Sequence, residues 1–272
     1  MIGPLMPILA FSRALGYVRL NFNSSGRNEL VEAITKLPTQ KSRYFLTAAC
    51  IALAVVLIGF WKTFILPSFL GTFTAPPVIY IHGALLFSWT LFLLTQSLLI
   101  RRKNLKLHRK IGWAGPWLAI TVAVSTAATG VYVLRRDVAA GGGHVAVSSF
   151  LGTLFTSIIF TALVTAGIVY RKQPEIHKRL MLLAMISVSW AAFGRFRHYF
   201  PPFEQSLLVF QGIIPLSMIL VVMLWEKFTK GRIHAVYFFV GLPLVFESLA
   251  EIYFFDSNWW QAVSGWIAGY FL

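Results

Sequence analysis

The sequence predicts an all-α fold: a polytopic transmembrane helix bundle of about seven spans, with the N-terminus inside and the C-terminus outside. Three observations lead there. Of 272 residues, 57% are hydrophobic and only 12% are charged, against about 25% charged in soluble domains. The apolar residues fall in runs long enough to cross a bilayer, which takes about 20 residues of helix. The basic residues alternate between successive loops, which orients the spans.

Residues 1–43 come first, as a basic cytoplasmic segment with short interfacial helices. Leu5 to Leu20 suits an amphipathic helix lying on the inner leaflet. Ser24-Ser25-Gly26 breaks it, and a second short helix from Asn28 to Leu37 ends before Pro38. Arg13 interrupts the first apolar run and no cleavage site follows, so the layout is not that of a signal peptide.

The seven-helix domain occupies residues 44–255. Spans are expected at about 44–69, 78–100, 111–134, 147–170, 178–196, 206–226 and 234–255. The fifth is the shortest, but Leu180 to Phe193 carries no charge and its basic flanks can snorkel. Pro215 and Pro243 each remove a backbone hydrogen bond and are expected to kink spans six and seven. Residues 256–272 are too short to span, and Trp259, Trp260 and Trp266 mark a C-terminal interfacial helix. Trp113 and Trp117 read as interface anchors. Gln96 and Gln211 read as interhelical hydrogen-bond formers. Cys50 reads as a small buried hydrophobe.

The charge pattern excludes one function class and fixes an orientation. The net charge is +15, which in a soluble protein would suggest nucleic acid. Here the N-terminal segment and the second, fourth and sixth loops hold 19 of the 24 Lys and Arg residues. The remaining positions are Lys62, Arg135, Arg136, Arg195 and Arg197. Lipid, and anionic lipid at the cytoplasmic face, is therefore the expected partner, with no nucleic acid.

Chemistry-bearing residues are few. With one cysteine there is no disulfide and no thiolate metal site. There is no phosphate loop, paired-cysteine motif or nucleophile elbow, so no catalytic residue is assigned. The six histidines sort into an outer group (His82, His144, His198) and an inner group (His108, His177, His234). Imidazole is the commonest ligand for transition metals, and two histidines from two helices can clamp a haem iron. His82 with His144, and His108 with His177, are thus candidate cofactor ligands for haem b, and His82 with His198 for a metal. A plain interfacial role accounts for the same residues, since polar side chains collect at helix ends. Lys62, Arg195, Glu247 and Glu251 are charges inside the spans, which by default pair with one another. Glu247 and Glu251 lie four apart and share a helix face, and a Glu247–Arg195 or Glu247–Lys62 pair is expected.

Three strings carry a family resemblance: Ile81-His82-Gly83 running to Trp89 and Gln96, Leu107-His108-Arg109-Lys110-Ile111-Gly112, and Pro174-Glu175-Ile176-His177-Lys178-Arg179-Leu180-Met181. With Gly194-Arg195 they resemble a family of bacterial multi-pass membrane proteins classed only as a domain of unknown function. The resemblance covers roughly residues 45–200. It implies the helical architecture and a bacterial inner-membrane location, and brings no activity. The order His82, His108, His144, His177 is more loosely similar to transmembrane di-haem b-type cytochromes, which place one histidine on each of four successive helices. A fainter similarity is to histidine-bearing factors that assist assembly of haem-copper oxidases. The functions expected are cofactor-linked electron transfer or respiratory-complex assembly, an accessory subunit among other membrane subunits, or a proton-coupled transporter.

Overall fold

The computed structural model describes residues 43–206 and 208–272, so the N-terminal helices expected above lie outside the described residues. The fold is 85% helical without strands. Seven helices are long and apolar enough to cross a membrane: Tyr44–Phe69, Pro77–Arg101, Ala114–Ala139, Gly143–Lys172, Pro174–Tyr199, Leu208–Lys230 and Tyr237–Phe254. They are called spans one to seven. The chain is an integral membrane protein. A short helix, Leu105–Gly112, joins spans two and three, and a last helix covers Asn258–Ala268.

Spans one to five pack each against the next, and span five returns to span one, closing a ring. Span six leans on span five, and span seven packs chiefly on span six. Trp89, at the middle of span two, is fully buried, and its ring meets Phe160 of span four edge-on at 5.1 Å. Span five is the least apolar of the seven, yet half of its central window is buried, against 11% in spans one, two and seven. Its neighbours, not lipid, are its main solvent. That explains how a short, charge-flanked segment serves as a span.

Glycines set the closest approaches. The carbonyl of Ala192 fills the position a Cβ would take at Gly59, so spans one and five meet backbone to backbone. Gln211 lies over Gly194 in the same way. Span five itself is interrupted. The helix from Pro174 ends at Ser187, a short one covers Trp190–Gly194, and Arg195–Tyr199 finishes as a 3-10 turn.

Prolines act in a regular manner. Pro67, Pro215 and Pro243 each follow a π-helical turn, at Trp61–Ile65, Leu208–Ile213 and Tyr237–Gly241. Proline lacks the N–H that its preceding turn would bond and clashes with the carbonyl four residues back. Widening that turn to π relieves both. The disturbance expected at Pro215 and Pro243 is thus taken up as a widened turn.

Two other expectations change. Cys50 is exposed on the bundle surface, not buried. Gln96 is buried, but neither amide atom has a hydrogen-bond partner among the described residues. The terminal helix packs against span four: Trp260 is buried beside Phe155, and Ala268 joins Leu134 and Phe150 in an apolar cluster. Trp259 and Trp266 remain exposed, as do Trp113 and Trp117.

Candidate functional site

Two ends of the bundle must be kept apart. One carries the basic loops that follow spans two, four and six, and is called the basic end. The other carries the loops after spans one, three and five.

At the basic end the connector Leu105–Gly112 places His108. Asn104 caps this helix, accepting from the Leu107 N–H at 3.0 Å, which fixes the first turn on which His108 sits. The ring folds back toward the main chain of Gln96 and lies within electrostatic range of His177. Burial, His177 and Arg109 together hold its pKa below the usual histidine range, while the Gln96 main chain acts the other way. His108 is therefore neutral near pH 7 and keeps a lone pair. Its Nδ1 is buried without a hydrogen-bond partner.

His177 sits in the first turns of span five, next to span four. Met181 and Leu180 pack onto Gly167, where a Cβ would crowd the methionine sulfur. The close approach brings the Gly167 carbonyl within 2.8 Å of His177 Nδ1. A carbonyl only accepts, so Nδ1 donates and Nε2 is the ring nitrogen that remains to face a ligand. Anchoring one imidazole nitrogen on a main-chain carbonyl is the usual way a histidine ligand is oriented.

Gln96 lies near this pair, and both its amide atoms are buried without partners. Seven residues earlier in span two, the Trp89 indole N–H is also without a partner. Seven earlier again is His82, whose Nδ1 meets Ser125 Oγ at 3.1 Å. The three share one face of the helix, since seven residues make two turns. Buried polar groups inside a membrane without partners are costly. They mark this face as the polar lining of the bundle.

The remaining expected residues are dispersed. His144 is exposed and faces Asp256 at 3.7 Å, and no contact joins it to His82 among the described residues. His198 is exposed in the 3-10 turn, and no group of three or more potential metal ligands occurs among the described residues. Glu247 accepts from Ser248 at 3.3 Å. Glu251 lies against Gly152 of span four, its carboxylate in the position of a Cβ. Neither glutamate forms an ion pair with Lys62 or Arg195 among the described residues. Lys62 instead donates to the His198 carbonyl at 3.3 Å and lies over the Tyr199 ring at 4.4 Å. Arg195 donates to the Ala191 carbonyl at 2.9 Å and stacks over Phe60 at 4.2 Å.

The sequence reading missed a buried ion network, also at the basic end. Arg179 and Glu226 are 1% and 2% exposed and form a two-point ion pair. Arg179 also donates to Glu175 at 2.8 Å. Lys230 donates to Glu226 at 2.7 Å, and the His234 main-chain N–H does so at 3.1 Å. The Tyr237 ring lies under the guanidinium, and its hydroxyl meets that of Tyr44 at 3.4 Å. The network ties spans one, five, six and seven together. One signal was present in the sequence: Glu175–Arg179 and Glu226–Lys230 are both spaced i, i+4.

No protein family, curated protein or solved structure matches this chain.

Proposed function

We propose that this chain is a metal-carrying protein of a bacterial inner membrane, with His108 and His177 as the ligand pair. It serves electron transfer or the assembly of a respiratory complex, and its basic end faces the cytoplasm and its anionic lipid. The observation that carries the reading is the buried Nδ1 of His108, which has no hydrogen-bond partner among the described residues and lies within electrostatic range of His177, whose own ring is fixed on Gly167. Two imidazoles, each with a ring nitrogen left for a ligand, suit a haem iron or a bare transition-metal ion. Such a centre would supply one-electron exchange. The chain's own residues orient the rings: Gly167 holds the His177 tautomer, and burial keeps His108 unprotonated.

The polar face His82–Trp89–Gln96 supports the same reading, because it runs from the pair toward the other end of the bundle. The outer histidines support no second centre, since His82 engages Ser125 and His144 stands on Asp256.

Purified protein with a visible spectrum, a pyridine haemochrome assay and metal analysis provides the test. A Soret band identifies haem, and a stoichiometric metal without that band identifies a bare ion. Either signal is expected to disappear in His108→Ala and in His177→Ala and to survive in His144→Ala. A colourless, metal-free protein from cells grown with iron and copper sinks the proposal.

A further inference from the structure

Among the described residues, five basic side chains lie away from the basic end: Lys62, Arg135, Arg136, Arg195 and Arg197. Two of them are accounted for locally. Arg135 donates to the Phe271 carbonyl at 2.6 Å, and Arg136 pairs with Asp137 at 2.7 Å. The other three converge. Lys62 comes from span one and Arg195 and Arg197 from the end of span five, more than 130 positions later.

The convergence is seen in the contacts. Lys62 Nζ bonds the His198 carbonyl at 3.3 Å and sits over Tyr199. The Tyr199 hydroxyl donates back to the Ile58 carbonyl of span one at 2.6 Å, clamping the two spans at this point. His198 lies within electrostatic range of Lys62, Arg195 and Arg197 together, and His82 of span two faces Arg195. Every polar contact these cations make is to a carbonyl or a ring face. Arg195 bonds Ala191, and Arg197 bonds Gly194 at 3.0 Å. No carboxylate pairs with any of them among the described residues. The acid nearest in the chain, Glu204, is engaged by Gln205.

Three cations gathered without a carboxylate among the described residues repel one another, and an anion held among them relieves that repulsion. Carbonyls and ring faces offset only part of it. Guanidinium and ammonium groups together are the usual donors to the oxygens of a phosphate group.

We propose that Lys62, Arg195 and Arg197 form a binding site for a phosphate-bearing anion at the end of the bundle opposite the basic loops. It is independent of the His108–His177 centre and lies at the far end of the spans.

The site is tested on the full chain in nanodiscs and in detergent. In the first arm, inorganic phosphate is titrated onto detergent-solubilised protein and the melting temperature is followed. In the second, nanodiscs of phosphatidylglycerol are compared with nanodiscs of phosphatidylcholine. Stabilisation by free phosphate identifies a soluble anion; stabilisation by phosphatidylglycerol alone identifies a lipid headgroup. Either effect is expected to fall at least tenfold in apparent affinity, or to vanish, in Lys62→Gln and Arg195→Gln. It should persist in Lys62→Arg, which keeps the charge, and in Arg171→Gln at the opposite end. If neither phosphate nor phosphatidylglycerol stabilises the wild-type chain, or if Lys62→Gln responds as the wild type does, the proposal is overturned.

Discussion

Glu251 shows how one side chain can depend on the absence of another. Its carboxylate occupies the space over Gly152 where any other residue would place a Cβ. Gly152→Ala is therefore expected to cost about 1–3 kcal/mol through overpacking, read as a lower melting temperature in detergent. In Glu251→Ala the same glycine substitution should cost far less, because the colliding group is gone. Histidine titration gives a second prediction at this scale. His108 and His234 both have pKa values below the ordinary 6.5, His108 chiefly through burial and His234 through burial and then Arg179. The unfolded chain then binds more protons than the folded one as pH drops below 6.5. Stability should be full above that pH and decline as it falls through the window between the two values. A melting series from pH 7.5 to 5 checks this, and His108→Asn should flatten the slope. The sequence named both glutamates and both cations inside the spans but paired them wrongly. Helix periodicity shows which residues share a face; it does not show which neighbour that face meets.

The spans were legible as elements because a bilayer demands long apolar runs, and only the ends were displaced. Span five begins at Pro174 where the sequence suggested 178, since Arg179 is carried inside by the ion network while Glu175, still exposed, pairs with it from the first turn. That network was hidden for a physical reason. His177-Lys178-Arg179 reads as a snorkelling basic flank, and only the fold brings Glu226 of span six to Arg179. Glu226→Gln leaves a buried guanidinium without its acid and is expected to cost about 3–5 kcal/mol. Replacing both partners, Arg179→Met with Glu226→Leu, should recover most of that loss. Melting curves of the wild type and the two variants form the check. A double variant behaving no better than Glu226→Gln would show that the loss does not come from an unpaired Arg179 guanidinium.

Orientation belongs to the molecule as a whole, and its argument is the loop charge. The chain has one native cysteine, Cys50, which is exposed on the surface of span one. In a Cys50→Ala background, Ala140→Cys should react with a membrane-impermeant maleimide on intact spheroplasts. Asn104→Cys should react only after lysis. The reverse pattern would invert the bundle and place the His108–His177 pair outside. The six histidines were legible as two groups, one at each end of the bundle, and among the described residues His108 and His177 fall within electrostatic range of each other. His144 follows a glycine run with positive φ at Gly141 and Gly143, and that turn leaves it outside the ring.

The Arg179–Glu226 pair also constrains how the protein is made. Its partners lie 47 residues apart, and translation adds about 5–20 residues each second. Span five thus emerges roughly 2–10 s before the acid that neutralises it. During that interval the nascent helix carries Arg179 with only Glu175 beside it. Arg179 gains its second acid only once span six has been delivered.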